Sequence, residues 1–275
     1  IGWQPRTKQG NDPVCHPVHH PHQGRLEGHC FCISRVQGQS TGGWRHRRDK
    51  PPAIMLATWN VLALKSAHMA YLKVAEGCSQ QCTYCIIPKL RGKKRSRPPQ
   101  EVIFEARDLL AAGVKELVLV AQDTTSYGKD LQPSASLSQL VEKLACLPLD
   151  DASGPGAWVR VLYGHPESID DAFIKTVASY PNICSYFDIP IQHVSSAILK
   201  KMGRSYNRRT LDRLFDKIRA EVPGASLRTT LIVGFPGESE KDFNTLLRFV
   251  ENTQFDHLGV FLYSDSEDLS SHRLP

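Results

Sequence analysis

The chain has 275 residues, 41% apolar and 23% charged, enough to bury one large α/β core or two small ones. Its longest apolar runs, such as Leu117 to Ala121, fall far short of the roughly 20 residues a bilayer-crossing helix needs, so the reading is of a protein with no membrane part. The net charge of +6 does not mark a polyanion binder, because residues 1–52 hold eight Lys/Arg against three Asp/Glu and the remainder 26 against 25. Of the eight cysteines, Cys146 and Cys184 fall on predicted core elements, which fits a reducing compartment and predicts a cytoplasmic protein.

Residues 1–57 read as a low-complexity or disordered segment. They mix Gly, Pro, Gln, Arg and six of the eleven histidines and show neither period 2 nor period 3.6. His16, His19, His20 and His22 with Cys15, Cys30 and Cys32 are only a compositional hint of a metal site. A targeting peptide is a third option for this Arg-rich, acid-poor stretch, against which stand its low Ser content and lack of an amphipathic pattern.

Residues 58–275 form the second division, and from Ala70 strands alternate with helices. That order predicts an α/β fold with a parallel sheet and helical crossovers. Strands are predicted at Ala70–Val74, Glu116–Ala121, Trp158–Leu162, Ser185–Ile189, Leu227–Val233 and His257–Leu262. Between them run helical stripes: Gln100–Ala112 between Pro98-Pro99 and Gly113; Leu137, Leu140, Val141 and Leu144; Phe173, Ile174 and Val177 behind a Ser168 cap; Ile198 to Met202; Leu211, Leu214, Phe215 and Ile218; and Phe243, Leu246, Leu247 and Val250 behind Ser239. These stripes are expected to face the core.

Chemistry gathers where each strand ends. After the first comes Cys78-Ser79-Gln80-Gln81-Cys82-Thr83-Tyr84-Cys85. A closed structural zinc site takes four protein ligands; three thiolates in one loop leave a coordination position open. Soft ligands with an open position suit an iron–sulfur cluster that binds a further group at its unique iron, with zinc or plain buried thiols as alternatives at this point. The other strands end in Gln122-Asp123-Thr124-Thr125, Tyr163-Gly164-His165-Pro166, Pro190-Ile191-Gln192-His193, Gly234-Phe235-Pro236-Gly237-Glu238 and Tyr263-Ser264-Asp265. Loops at that edge of a parallel sheet converge on ligands. The basic run Lys89, Arg91, Lys93, Lys94, Arg95 and Arg97 follows the cysteines, either as a solvated loop or facing an acidic substrate, a cofactor carboxylate or RNA.

Cys-x3-Cys-x2-Cys with Tyr84 before the last cysteine resembles the signature of the radical S-adenosylmethionine (SAM) enzymes. The wider run Tyr71 to Cys78, then Cys85-Ile86-Ile87-Pro88-Lys89-Leu90-Arg91-Gly92 and Ser96-Arg97, resembles their methylthiotransferase branch. The resemblance implies a partial (β/α)6 TIM-like barrel, a [4Fe–4S] cluster on Cys78, Cys82 and Cys85, and SAM chelating the fourth iron. Reductive cleavage of SAM then yields a radical that abstracts hydrogen from carbon. It further implies cofactor-binding roles for Tyr84 on the adenine side, Gln122 at the SAM amino group, Gln192, and Arg204 on the carboxylate through its bidentate guanidinium. His165 and His193 receive no catalytic role.

Val120-Ala121-Gln122-Asp123-Thr124-Thr125-Ser126-Tyr127-Gly128 and Asp188-Ile189-Pro190-Ile191-Gln192-His193 resemble the branch that methylthiolates the β-carbon of an aspartate in ribosomal protein uS12. The branch acting on transfer-RNA adenosine is the alternative, and an acidic Asp123 at the mouth would sit poorly beside RNA phosphates. Expected partners are uS12 and an electron donor such as flavodoxin or ferredoxin. The family's N-terminal domain carries a second [4Fe–4S] cluster whose ligands are not identifiable here, and its C-terminal TRAM-like barrel is absent. A truncated, non-catalytic iron–sulfur protein is therefore a further alternative. Replacing Cys78, Cys82 or Cys85 with Ala should abolish the cluster absorbance of anaerobically reconstituted protein; about one zinc and no iron per chain would contradict the assignment.

Overall fold

A computed structural model describes residues 68–149 and 156–274. The readings of residues 1–57, and the domain boundary after them, lie outside the described residues.

Six parallel strands appear where the apolar and β-branched runs predict them. They form two three-stranded sheets. The first has the order β1 (Met69–Lys73), β4 (Glu116–Val120), β5 (Trp158–Val161), and the second β6 (Tyr186–Asp188), β7 (Ser226–Val233), β8 (His257–Leu262). Register runs from Met69 opposite Glu116 and from Glu116 opposite Trp158 in the first sheet, and from Tyr186 opposite Ser226 and Arg228 opposite His257 in the second. The sheets meet at a parallel bridge between Val159 and Ile183, where the Val159 N–H donates to the Asn182 carbonyl and the Cys184 N–H to the Val159 carbonyl, each at 2.9 Å. Among the described residues no pairing joins β1 to β8, so the barrel stays open, as expected for a partial (β/α)6 form.

The helices are α1 (Ile87–Arg91), α2 (Pro99–Ala111), α3 (Leu137–Ala145), α4 (Asp171–Ser179), α5 (Ser196–Lys201), α6 (Arg208–Glu221) and α7 (Glu240–Thr253). Pro99 opens α2 at a position whose N–H has no intrahelical acceptor anyway. Ser136 caps α3 in a reciprocal box with Gln139. Strand residues Leu72, Leu117, Leu119 and Val159 and helix residues Val102, Ala106, Leu140 and Val141 are fully shielded; each large aliphatic side chain among them contributes roughly 1.5–3 kcal/mol.

Three expectations need correction. Asp170, not Ser168, caps α4: its carboxylate accepts the Phe173 N–H at 2.8 Å, where it also favours the positive helix end. A short antiparallel pair, β2 (Ala75–Glu76) with β3 (Arg95–Ser96), brackets the cysteine loop; two-residue strands carry no legible period. On α7 the buried residues are Leu246 and Phe249, while Phe243 and Leu247 are exposed. The helix is rotated so that Phe249 meets Phe215 and Phe255, leaving apolar surface on α7 and on β8, where Leu262 is 81% exposed.

One carboxylate ties the halves together. Asp188 is buried on β6; its Oδ1 accepts from Arg228 Nη1 of β7 at 2.7 Å and its Oδ2 from the Tyr163 N–H after β5 at 3.2 Å. Asp188→Ala strands both donors and should lower unfolding free energy by about 2 kcal/mol, read from urea denaturation. A loss below roughly 0.5 kcal/mol, the scale of a neutral surface change, would contradict this account.

Candidate active site

The cysteine loop is fastened from four sides by its backbone and neighbours. The Cys78 N–H donates to the Gly92 carbonyl at 3.1 Å. The Thr83 N–H donates to the Met202 carbonyl at 3.1 Å and its hydroxyl to the Lys201 carbonyl at 2.8 Å, at the end of α5. The Thr83 carbonyl accepts the Ser271 N–H at 3.0 Å, and Gln80 Nε2 donates to Asp123 at 3.1 Å. Gly203, at φ 72°, lets the chain pass so close that an added Cβ would lie 2.5 Å from the Gln81 carbonyl oxygen. Only glycine combines that backbone with that approach.

The loop opens onto a cavity of about 380 Å³, within the usual range for small-molecule sites. The cysteine segment contributes Cys78, Cys82, Tyr84 and Cys85; the loop after β4 contributes Gln122 and Asp123; that after β5, Tyr163 and His165; that after β6, Gln192; and the turn after α5, Arg204. All seven sequence-predicted site residues therefore line one cavity. Loops after β7 and β8 do not line it but support it: Phe235 packs edge-on beneath Tyr84 at 6.5 Å and against Tyr263 at 5.1 Å. Tyr163 and Gln192 hold φ of 60° and 64°, a costly backbone for side chains of their size. In both, the surrounding ladder imposes it: the Tyr163 carbonyl accepts from Thr124, and Gln192 bonds Thr230 and Ile232.

The three thiols surround the cavity without converging on one point; among the described residues no three His, Cys, Asp or Glu side chains form a single-ion site. A multi-iron cluster accepts such spread ligands, each bound to its own iron. Burial pushes the Cys78 and Cys85 thiols up, opposed by the Gln80 N–H on Cys78 Sγ (3.5 Å) and the Ile87 N–H near Cys85. Deprotonated, all three need positive charge beside them, which the irons of a cluster provide.

Arg204 is the main fixed cation of the cavity. Burial works against its charge, but Tyr206, Tyr84 and Cys82 raise its pKa, so it stays protonated. The guanidinium lies 5.8 Å from the Tyr84 ring centroid and 5.7 Å from that of Tyr206. Its Nε and Nη2 donate to the Tyr84 hydroxyl at 3.0 and 2.5 Å, while Nη1 has no partner. Tyr84 thus acts in the structure as the anchor of Arg204, a link that spacing in the sequence does not reveal.

Asp123 lines the cavity, is 4% exposed and caps the 3-10 turn Thr124–Ser126 by accepting the Ser126 N–H at 3.2 Å. Of the basic run, Lys94 reaches the Ser126 carbonyl and hydroxyl, Arg97 bonds Glu105 at 2.5 Å and the Lys73 carbonyl at 2.8 Å, Lys89 bonds the Asp268 carbonyl, and Arg91 pairs with Glu76 at 3.5 Å. Lys94 and Arg97 are half-buried and brace the cysteine loop, while Lys89, Arg91, Lys93 and Arg95 stay exposed. His193 is structurally satisfied: Nδ1 accepts the N–H groups of Val194 and Ser195 at 2.9 Å, and Nε2 lies 3.4 Å from Glu238.

The profile of the radical SAM superfamily matches residues 72–250. A ribosomal protein uS12 methylthiotransferase RimO from Desulfosudis oleivorans is 56% identical over 243 residues, covering 88% of this chain and 54% of the relative. One of the same name from Clostridioides difficile is 53% identical over 209 residues, covering 76% and 46%. The chain thus spans about half the length of these relatives. Among solved structures, the radical SAM methyltransferase TsrM of Kitasatospora setae has a TM-score of 0.60 at 16% identity, covering 74% of this chain and 38% of that one. Coproporphyrinogen III oxidase HemN of Escherichia coli has 0.54 at 17%, covering 79% and 50%; both likenesses speak for the fold. No helix among the described residues is long and apolar enough to cross a membrane.

Burial, reinforced by Arg204, pushes the His165 pKa down to about 4. The folded protein therefore carries it neutral while the unfolded chain protonates it near its ordinary value of about 6.5. Between those values the unfolded state binds more protons, so stability falls as pH falls. His165→Gln should lose about 1 to 2 kcal/mol less stability than the wild type between pH 7 and pH 5, measured as urea midpoints; equal losses would contradict the assignment.

Proposed function

We propose that this chain, which belongs to the radical SAM superfamily, is the catalytic core of an enzyme that adds a methylthio group to the β-carbon of an aspartate in ribosomal protein uS12. The observation that carries the reading is 56% identity across 88% of the chain to a protein of that name. The cavity chemistry agrees with it.

Cys78, Cys82 and Cys85 would hold a [4Fe–4S] cluster, and the fit is good. The loop is rigidly tethered, lines a cavity of adequate size and leaves room for a further ligand beside its sulfurs. Bound together, cluster and SAM supply the one-electron chemistry that makes an unactivated C–H reactive. The chain's own residues bind and orient. Arg204, immobilised by Tyr84 and Tyr206, keeps Nη1 for a carboxylate such as that of the methionyl part of SAM. Tyr84 couples that cation to the cysteine loop, so cluster and carboxylate positions are set by one side chain. Gln122, exposed after β4, offers its side-chain carbonyl within the cavity as an acceptor for the amino group of SAM. Gln192 is held by its ladder, its N–H on the Thr230 carbonyl and its carbonyl on the Ile232 N–H, and lines the cavity. Asp123 and Gln80 bond each other and stiffen the wall.

In this reading an electron donor such as flavodoxin or ferredoxin serves the cluster, and the enzyme works in the cytoplasm, where its ribosomal substrate is made. Anaerobically reconstituted protein, given SAM, a reductant, inorganic sulfide, uS12 and transfer RNA together, should release 5′-deoxyadenosine and mass-tag uS12 with a methylthio group whose sulfur comes from the sulfide. The same group found on transfer-RNA adenosine and missing from uS12 would replace the substrate assignment; iron-loaded protein that leaves SAM intact would overturn the enzyme assignment.

A further inference from the structure

Among the described residues three buried side-chain polar atoms lack a hydrogen-bond partner: Thr124 Oγ1, Arg204 Nη1 and His165 Nε2. The last two belong to residues lining the same cavity, and Arg204 has been given a role above. His165 has not.

Its surroundings fix its chemistry. The Glu167 N–H donates to Nδ1 at 3.3 Å, which leaves the ring proton on Nε2. The residue is 6% exposed, its ring rests edge-on at 6.0 Å from Tyr206, and its backbone N–H donates to Thr125 Oγ1 at 2.8 Å. Burial and the neighbouring Arg204 both oppose protonation. The group is therefore a neutral, immobile N–H donor beside a permanent cation. A buried donor without an acceptor is costly, and buried polar groups are otherwise satisfied with few exceptions. An acceptor that meets both nitrogens gains most if it is anionic and has two oxygens, which describes a carboxylate.

We infer that His165 is a positioning residue that donates its Nε2–H to a carboxylate oxygen bound in the cavity next to Arg204. Resting on the function proposed above, two sources share this chemistry: the methionyl carboxylate of SAM and the side chain of the substrate aspartate. A neutral donor suits either, since it orients the oxygen without adding a second positive charge against Arg204.

Two measurements test it. In the 275-residue chain labelled with 15N-histidine, NMR before cluster loading should give His165 as the neutral Nε2–H tautomer at pH 6; the Nδ1–H tautomer or an imidazolium overturns the inference. The cluster-loaded chain is then titrated with SAM, with decarboxylated SAM, and with uS12 peptides carrying Asp or Asn at the modified position. His165→Phe should weaken one carboxylate ligand about tenfold or more and leave its carboxylate-free counterpart unchanged, with partial recovery in His165→Gln, which keeps a donor. Loss confined to SAM assigns the bond to the cofactor, and loss confined to the Asp peptide assigns it to the substrate. Unchanged affinity for every carboxylate ligand, or equal weakening of ligands with and without one, overturns it. Wild-type protein that binds SAM but neither peptide would count against the uS12 reading, and the SAM arm would still decide His165.

Discussion

Everything at the mouth of the barrel depends on the clamp between Thr83 and the end of α5. Two hydrogen bonds, from the Thr83 N–H to Met202 and from its hydroxyl to Lys201, fasten a loop from the first strand to one that follows the fourth. A side chain at Gly203 would break the approach. Residues 118 positions apart thereby form one wall, and Tyr84, next after Thr83, meets Arg204, three residues past Lys201, as anchor and cation.

That meeting resolves an electrostatic conflict. Cys78 and Cys85 resist ionisation through burial, and both also through the charge of Cys82 between them. A guanidinium is always charged and its plane stacks on aromatic rings, so it can be buried between Tyr84 and Tyr206 with little loss. A lysine there would bring a compact, strongly hydrated charge whose pKa yields on burial. The cavity thus keeps a cation next to sulfur and next to any incoming carboxylate, in surroundings where such interactions are stronger than in water.

Charge written in a sequence differs from charge displayed on a surface. Lys89, Arg91, Lys94 and Arg97 look like a polyanion patch along the chain, yet each turns to a carbonyl or carboxylate of the protein itself. Asp123 looks like an acidic feature at the mouth and is spent as a turn cap. Their combined effect is mechanical: they hold β2, β3 and the cysteine loop against the β4 turn.

By itself the sequence determined the six strands, most helices and the gathering of three cysteines in one loop, because these are local properties. Apolar period, Pro and Gly punctuation and cysteine spacing all act over a few residues, and the bulk of the core at Leu72, Leu117 and Val159 follows from them. That Gln122 and Gln192 line one cavity was legible too, since residues at one end of parallel strands must share an edge. Tertiary structure alone decided what those side chains do to each other. The Tyr84 hydroxyl holding Arg204, the rotation of α7 that buries Phe249 instead of Phe243, the bonds of Lys94 to Ser126, and the unpartnered Nε2 of His165 all arise from contacts between segments far apart in sequence. No periodicity encodes which of several polar neighbours a side chain will bond once the strands have brought them within reach.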